Sequence, residues 1–367
     1  MEEARKILAF GALPALSAVG FYGSMYLAYE NGLIKSLSDI ARGKTTALPN
    51  TKATIIRKWT GIKPIDQYLA FYLAFFVPTL GKSNASTTLQ NRFFIGQFAG
   101  LWTLVALQAQ KSGNSSVIQS RVNLMLAAFG IQTVGAATIV PLFLAIQLAT
   151  SIVGKTSLTA GVLSESRTAA LPLASTLTIL IPLALGSFLR SQPQKQAWTN
   201  VFQLFYIFAE LIERTAGPVV TPAASTGPLP ASLVRVYSFT EWLSILSHVG
   251  TIVAILLTKI APKLFPKGFA EHVSFRRVFL PRIKLETHGD LYEARIHFLR
   301  WDAAISLSSF LLWAAYSYAA VATPEKSLES FTRFGLEIVA RVLITGPIGA
   351  ATHLLRQRDM IAAGSFA

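Results

Sequence analysis

Residues 301–322 read WDAAISLSSFLLWAAYSYAAVA, and from Ala303 to Ala322 this stretch carries no charged side chain. A helix crosses the hydrocarbon core of a bilayer with about 20 consecutive apolar residues. Hydrophobic residues occupy 52% of the 367 positions and charged residues only 14%, which lies outside the globular range. Comparable apolar runs are centred near Ala18, Leu73, Leu101, Thr138, Ile179, Phe205, Ile252, Phe310 and Leu343. The sequence therefore predicts a membrane protein with about nine spans.

Inside hydrocarbon, every backbone amide must find a partner within the protein, so these runs predict helices rather than strands. We expect an all-α, polytopic transmembrane helical bundle that forms one integral-membrane domain over residues 1–367. The run from Trp198 to Ile212 is the shortest, which leaves eight spans as the alternative count. The first run begins at Ile7 and continues past Tyr26 without a small-residue cleavage site, which indicates a retained span rather than a signal peptide.

Basic residues outnumber acidic residues by 33 to 18, a balance that would suggest a nucleic-acid partner in a soluble protein. Here most of the basic residues lie in a few connections between apolar runs, chiefly at about 30–63 and 259–300. Nine spans place these two connections on one face of the membrane, whereas eight spans place them on opposite faces. Because the positive-inside bias assigns basic loops to the cytosol, we expect both connections to be cytosolic. We expect membrane lipids around the protein and no nucleic-acid partner.

The sequence lacks the usual ligand sets for metals. It contains no cysteine, and its five histidines never recur at a spacing of three or four residues. A histidine pair on one helix face is therefore absent, and thiolate ligands are excluded. The chain also has no Asp-Asp-x-x-Asp sequence, which soluble cyclases use to hold magnesium against a diphosphate. We expect no metal and no other cofactor.

Acidic residues at the ends of the runs are the most informative polar residues, because ionisable groups near hydrocarbon are costly and often functional. On the nine-span topology, one set lies toward the cytosolic side and can meet around one cavity: Glu30, Asp66, Asp302 and, as a polar amide, Gln108. A second set lies toward the lumen, and we interpret it as structural: Glu210, Glu213, Glu241 and Glu337. Glu337 precedes Arg341 by four residues, a spacing suited to an ion pair.

Asp66 and Asp302 also allow a simpler interpretation, because carboxylates in the first turn of a helix favour its free amides. Aromatic side chains accompany both aspartates. Trp59, Tyr68 and Tyr72 lie near Asp66 in the sequence, and Trp301 and Trp313 lie near Asp302. Aromatic girdles at bilayer interfaces give a similar pattern, but a pocket lined with aromatic faces also stabilises a cation.

At these residues the chain resembles the fungal integral-membrane terpene cyclases of meroterpenoid and indole-diterpene pathways, in the subgroup that includes the ascofuranone- and paspaline-type cyclases. Short motifs across most of the chain carry the resemblance: Trp59-Thr60-Gly61-Ile62, Ile65-Asp66, Phe75-Phe76 with Pro78, Gly113-Asn114, Tyr237-Ser238-Phe239 with His248, Trp301-Asp302, Leu311-Leu312-Trp313, Gly346-Pro347 and Arg358-Asp359. Members of this family often carry an acid where this chain has Gln108, so a proton donor is not expected there.

The resemblance implies cyclisation of an epoxidised prenyl chain, started by protonation of the epoxide, in the endoplasmic reticulum membrane. A carboxylic acid in an apolar pocket stays protonated near neutral pH and can donate to an epoxide oxygen. We expect Asp302 to donate the proton, with Asp66 orienting it or accepting the final proton and Glu30 as the third candidate. The resemblance also implies a lipophilic epoxidised prenyl substrate. We expect it to contact Trp59, Tyr68, Tyr72, Trp301, Trp313, Gln108 and His248.

Two alternatives remain open at this point. In a secondary transporter or other non-enzymatic membrane protein, the same acids would bind or relay ions, and Pro141 and Pro347 could break helices within the runs. A lipid-modifying transferase is the third possibility, although the Asp-rich magnesium motif of membrane prenyltransferases is absent.

Overall fold

A computed structural model describes residues 2–45, 48, 54–81, 85–111, 120–154, 164–221, 228–266, 268–283, 291–322 and 328–364. Over these residues the chain is all-α and forms no strand. The principal helices are α1 (Glu2–Glu30), α2 (Leu33–Ala41), α3 (Lys63–Leu80), α4 (Ala85–Ala109), α5 (Arg121–Val134), α6 (Ala136–Gly154), α7 (Glu165–Phe188), α8 (Gln192–Gln203), α9 (Phe205–Thr215), α10 (Ala231–Ile260), α11 (Leu291–Ala322) and α12 (Leu328–Ala362). The expected helical class is confirmed. The division into one domain stays a prediction.

Local chemistry explains where several helices begin. The Ser120 side chain accepts a hydrogen bond from the Asn123 amide at the start of α5, and Ser164 does the same for the Arg167 amide at the start of α7. These are N-caps, which satisfy amides that have no partner inside the helix. Helix α3 has Pro64 in its first turn, where a missing amide hydrogen costs nothing.

Five helices in the described part of the chain are long and apolar enough to cross a membrane by length and composition: α1, α7, α10, α11 and the stretch Glu329–Ala362 of α12. This supports a membrane association, but the count of nine spans is not confirmed. The run near Phe205 is divided at Leu204 into two shorter helices, α8 and α9. The run near Leu73 becomes α3, whose first turn holds Lys63 and Asp66.

The run near Thr138 is also broken, because the chain reverses at Gly135 between α5 and α6. Gly135 has φ 102° and ψ 150°, a conformation that is essentially restricted to glycine. The two helices fold back on each other, so that a Cβ placed on Gly130 would lie 3.2 Å from Ile139 Cδ1. The Ser17 hydroxyl donates to the Thr138 carbonyl at 2.8 Å and ties the reversal to α1.

A kink divides α12. Gly346 has φ 79° and ψ 168°, again a glycine conformation, and Pro347 follows it. His353 interacts electrostatically with Glu337 and Arg341 on the other side of the break. A continuous straight helix would separate these residues by about 18 Å or more, so α12 bends sharply at Gly346.

The two basic connections meet at one end of the bundle, which we call the basic end. There, Ala28 and Leu33 pack in one cluster with Leu73, Ala294 and Leu299. That both connections face the cytosol stays a prediction.

The start of α4 packs at the basic end as well. The Ser86 hydroxyl donates to the His272 carbonyl at 2.5 Å, and Leu89 packs with Val273 and Val278. A nine-span alternation puts residues 81–85 on the face opposite residues 259–300. The last turn of α3 bonds to α4, since the Asn91 side chain donates to the Thr79 carbonyl.

Candidate active site

An apolar cavity lies among α1, α2, α3, α4, α5, α7, α8 and α11 and holds about 1050 Å³ of empty space, including open solvent at its mouth. Small-molecule pockets combine apolar walls with a few polar groups. The aromatic walls come from Phe71, Tyr72, Phe75, Phe76, Phe94, Phe98, Phe202 and Phe298. Among the described residues that line this cavity, Asp302 is the only carboxylic acid. The cavity is therefore the candidate active site.

Asp302 lies in α11 and is only 6% exposed. Its Oδ1 accepts a hydrogen bond from the Ala137 amide at 2.8 Å, and the Ala136 amide also donates to the carboxyl group. Both amides belong to the first turn of α6, where backbone donors have no partner inside the helix. The helix start therefore holds one carboxyl oxygen in place while the residue lines the cavity.

Gly135 makes this contact possible. A Cβ built on Gly135 would lie 2.8 Å from Asp302 Oδ1 and 3.2 Å from Phe298 Cζ. Any side chain larger than hydrogen would displace the carboxyl group or the aromatic ring. Gly135 thus has two roles, because its backbone conformation reverses the chain and its lack of a side chain leaves room for the acid.

The aromatic walls are built mainly by α3 and α4, with one ring each from α8 and α11. The Phe75 and Phe298 rings meet edge to face with centroids 5.3 Å apart, and the Phe76 and Phe202 rings meet in the same way at 5.4 Å. The Tyr72 hydroxyl donates to the Thr133 carbonyl at 3.3 Å, close to the reversal at Gly135. The faces of aromatic rings attract a cation through the ring quadrupole, and this interaction stabilises the cation by about 2 kcal/mol or more when water is excluded.

Two amide side chains add polarity to the cavity. Asn91 Nδ2 donates to the Thr79 carbonyl at 2.6 Å, and Gln132 Nε2 donates to the Phe202 carbonyl at 3.2 Å. Each bond joins a cavity residue to the backbone of another helix. These two residues therefore fix the walls and also offer amide groups near a ligand.

Asp66 lies outside the cavity lining. Its Oδ1 accepts hydrogen bonds from the Trp59 amide at 3.0 Å, the Thr60 amide at 2.8 Å and the Thr60 hydroxyl at 3.0 Å. Its Oδ2 accepts from the Gly61 amide at 3.1 Å. The carboxylate thus holds the turn before α3, a geometry that favours a loop-anchoring role over a role beside Asp302.

The other acidic candidate and two tryptophans also lie outside the cavity lining. Glu30 is exposed at the end of α1. Trp59 packs against the basic-end cluster, and its Nε1 donates to the Ile56 carbonyl at 2.8 Å. Trp301 Nε1 donates to the Arg282 carbonyl at 3.1 Å, and a Cβ on Gly23 would lie 2.2 Å from the Trp301 ring.

Gln108 joins a separate group of buried polar residues at the far end of α4, ten residues or about 15 Å of helix rise beyond Phe98 of the cavity. Arg358 donates to Gln108 Oε1 at 3.4 Å and to Asp359 Oδ1 at 2.7 Å. Asp359 Oδ2 also binds the Lys111 ammonium and the Tyr237 hydroxyl. The structure therefore separates Gln108 from Asp302, although nine spans would have placed them together.

The remaining candidate residues, Trp313 and His248, pack against other parts of the protein. Trp313 is 1% exposed and packs against Phe310 with ring centroids 5.4 Å apart, in the main core of the bundle. His248 contacts the Leu343 carbonyl through Nε2 at 3.1 Å, and it lies beside the kink at Gly346. Of the expected substrate contacts, Tyr72 lines the cavity, and Tyr68 lies one helical turn before it.

Comparison with known proteins gives the family. The model of the CtvD domain matches residues 9–363, which include the cavity and every candidate acid. The chain belongs to the CtvD domain family. It is 27% identical to terpene cyclase ascI of Acremonium egyptiacum, over 98% of this chain and 92% of the relative. It is 24% identical to terpene cyclase penA of Penicillium crustosum, over 92% of each chain. It is 25% identical to terpene cyclase ctvD of Aspergillus terreus, over 94% of this chain and 96% of the relative. No solved structure matches the chain.

Several cavity residues of this CtvD-domain protein escaped sequence reasoning. Phe202 and Phe298 belong to helices far apart in the sequence, and nothing in their local pattern indicates a shared wall. Gln132 resembles any polar residue on an apolar helix. The usable signal was Gly135, because a glycine inside an apolar run marks a possible break, and the two residues after it donate to Asp302.

Proposed function

We propose that this CtvD-domain protein is a terpene cyclase that protonates the epoxide of an epoxidised prenyl chain and closes a ring through a carbocation. One observation carries the proposal: a buried carboxylic acid lines an aromatic cavity and is held there by the first turn of α6. The names of three similar proteins, all terpene cyclases, support the general activity.

The proposed reaction begins with Asp302 in its neutral form. Oδ1 accepts the hydrogen bond from the Ala137 amide. The acidic proton therefore lies on Oδ2, from which it is donated to the epoxide oxygen. As the proton moves to oxygen, the bond from that oxygen to the more substituted carbon breaks, and the positive charge develops on this carbon. A positioned general acid contributes about 10²–10⁴-fold to such a step.

The cavity walls then control the cation. Phe75, Phe76 and Phe298 present aromatic surfaces that stabilise positive charge, and the apolar lining excludes the water that would trap it as a diol. An internal alkene or hydroxyl attacks the cationic carbon and forms the ring. A hydroxyl attack, or loss of a proton next to a ring cation, releases one proton.

Asp302 is proposed to recover that proton. After the first step it is a carboxylate, and it is the only carboxyl group among the described residues that line the cavity. The cycle then needs no second acid. In this scheme Asp66 stabilises the turn that precedes α3 rather than handling protons.

Conversion of an epoxide by the purified protein tests the proposal. Detergent-extracted protein incubated with an epoxyfarnesyl-phenol should yield a cyclised isomer of equal mass, detected by liquid chromatography and mass spectrometry. EDTA should leave the rate unchanged, since the sequence has no Asp-rich magnesium motif. Recovery of unchanged epoxide, or of the diol alone, would contradict the cyclase function. A loss of rate with EDTA that magnesium restores would contradict the metal-independent mechanism.

A further inference from the structure

A group of basic side chains lies at the basic end, near the start of α11. Arg300 is 4% exposed and His297 is 2% exposed. The charges of Arg277 and Arg282 act on Arg300. The charges of Arg282 and Arg300 also act on His297. We call these four residues the arginine–histidine cluster, and the proposed reaction uses none of them.

Arg300 is a buried cation without an ion-pair partner in the part of the chain that the structure describes. Its guanidinium group forms no hydrogen bond or salt bridge with a described residue, and its Nε is fully buried. Glu293 attracts this charge from a distance, whereas Arg277 and Arg282 repel it. Because transfer of a charge out of water is costly, buried charges are normally paired. The surroundings of Arg300 are therefore suited to an anion.

His297 carries a second buried donor. The Trp301 indole Nε1 donates to His297 Nε2 at 3.2 Å. Because an indole nitrogen is only a donor, His297 Nε2 must accept, and the proton of the neutral ring therefore lies on Nδ1. This Nδ1 is buried and has no hydrogen-bond partner among the described residues. Since buried polar groups are normally hydrogen-bonded, His297 also indicates a missing acceptor.

The two buried donors lie on one face of α11. Residues three positions apart on a helix are neighbours, with Cβ atoms about 5–6 Å apart. An anion with several oxygens can therefore accept from both His297 and Arg300. Arg277 is exposed and Arg282 is half-buried, so the arginine–histidine cluster extends from the interior to the surface.

Aromatic side chains beside the arginine–histidine cluster are typical of a membrane–water interface. Trp301 packs against α1, since a Cβ on Gly23 would lie 2.2 Å from the Trp301 ring. Tyr22 and Tyr26 of α1 lie on either side of Gly23 in the sequence, are exposed, and stack with ring centroids 5.3 Å apart. Tyrosine and tryptophan are enriched at the level of the lipid headgroups. The arginine–histidine cluster therefore lies where a phospholipid presents its phosphate.

We propose that the arginine–histidine cluster binds the phosphate of an anionic phospholipid from the surrounding membrane, and that the favoured headgroup is a phosphate monoester, as in phosphatidic acid. Arg300 and the His297 Nδ1–H donate to the phosphate oxygens. Leu280 and Ile283, which are exposed on either side of Arg282 in the sequence, contact the acyl chains. Basic pockets between spanning helices bind phosphorylated headgroups in this way.

Charge and depth select the headgroup. A phosphate monoester carries about 1.5 to 2 negative charges at pH 7 and has three terminal oxygens, which suits several arginine charges and two buried donors. Phosphatidylcholine carries a single negative charge together with a quaternary ammonium group, which the arginines repel. A headgroup without a bulky alcohol also reaches buried donors more easily than a larger one.

Lipid binding by delipidated, detergent-extracted protein tests the assignment without relying on turnover. The Kd values for phosphatidic acid and for phosphatidylcholine are measured by titration and native mass spectrometry, and inorganic phosphate is added as a competitor. The wild type should bind phosphatidic acid at least about tenfold more tightly than phosphatidylcholine. Arg300→Gln should raise the Kd for phosphatidic acid by about tenfold and leave the Kd for phosphatidylcholine unchanged.

Arg276→Gln is the matched control, because it removes one positive charge from an exposed position next to the arginine–histidine cluster. It should leave both Kd values within about twofold of the wild-type values. Equal wild-type Kd values for the two lipids, or equal effects of Arg300→Gln and Arg276→Gln, would overturn the assignment. Displacement of phosphatidic acid by an equal concentration of inorganic phosphate would assign the site to free phosphate and overturn the lipid.

Thermal unfolding shows whether Arg300 lacks an internal partner. Without added lipid, Arg300→Gln should unfold at the wild-type midpoint or above it, because the substitution removes a buried, unpaired charge. Phosphatidic acid should raise the midpoint of the wild type and of Arg276→Gln but not that of Arg300→Gln. A lower midpoint for lipid-free Arg300→Gln would indicate an ion pair within the protein and would overturn the proposal.

Discussion

Gly135→Ala probes the contact that holds Asp302 in the cavity. The new methyl group would lie 2.8 Å from Asp302 Oδ1, about 0.5 Å or more inside normal van der Waals contact, so the carboxyl group must move. Misplacement of a reacting group by about 1 Å costs about 10²-fold in rate. The backbone at φ 102° and ψ 150° adds strain of about 1–3 kcal/mol, which lowers stability. We expect turnover per folded protein to fall by about 30-fold or more.

Gly346→Ala is the matched control for the backbone strain that Gly135→Ala introduces. Gly346 has φ 79° and ψ 168°, and its Cβ would lie 3.0 Å from Gln97 Nε2 and from His248 Cβ, away from Asp302. Both variants should lower the thermal unfolding midpoint of detergent-extracted protein by a similar amount. Turnover per folded protein, measured with an epoxidised prenyl-phenol, should fall only for Gly135→Ala. Equal turnover of the two folded variants would refute the idea that Gly135 positions the acid.

Two further predictions concern Asp66, which lies outside the cavity lining, and the side of the membrane on which each end of the helical bundle lies. Asp66→Asn should lower the free energy of unfolding by about 1–3 kcal/mol, because the amide nitrogen cannot accept the hydrogen bonds that the carboxylate accepts from Trp59, Thr60 and Gly61. Turnover per folded protein should stay within about threefold of the wild-type value. A loss of about 10²-fold would show that Asp66 takes part in the reaction. Because the chain has no cysteine, a single cysteine placed at Lys44, Glu271 or Thr221 is the only thiol available for labelling. The cysteines at Lys44 and Glu271 should react from one side of sealed membranes, and the cysteine at Thr221 should react from the other. Labelling of Lys44→Cys and Glu271→Cys from opposite sides would contradict the common basic end.

The sequence predicts the helical class and the ion pair of Glu337 with Arg341, which is 3.1 Å long. These features depend on composition and on spacing within one helix, both of which are local. It also singles out Asp302 and Tyr72, which line the cavity. The simpler interpretation, in which Asp302 accepts hydrogen bonds from free amides at a helix start, also holds. These amides belong to α6, whereas Asp302 itself lies in α11.

The breaks at Gly135 and Gly346 could not be predicted in the same way. An apolar run of about 20 residues looks alike whether it crosses the membrane once or turns back at a glycine. At Gly135 and Gly346 the backbone adopts conformations open only to glycine, and tertiary contacts decide whether the chain uses them. This is why the grouping of Gln108 with Asp302 failed, since it relied on counting alternate faces. The Lys111, Arg358 and Asp359 group likewise joins residues almost 250 positions apart.

Replacement of the acid itself tests the central proposal most directly. Asp302→Asn keeps the size of the side chain and an oxygen that can accept the hydrogen bond from the Ala137 amide, so the protein should fold as the wild type does. Without the acidic proton, turnover of the epoxide should fall by at least about 10²-fold, the lower end of general-acid effects. Asp302→Glu should retain a trace of activity, because it keeps the acid but displaces it. Wild-type rates of cyclisation by folded Asp302→Asn protein would contradict the assignment of Asp302 as the proton donor.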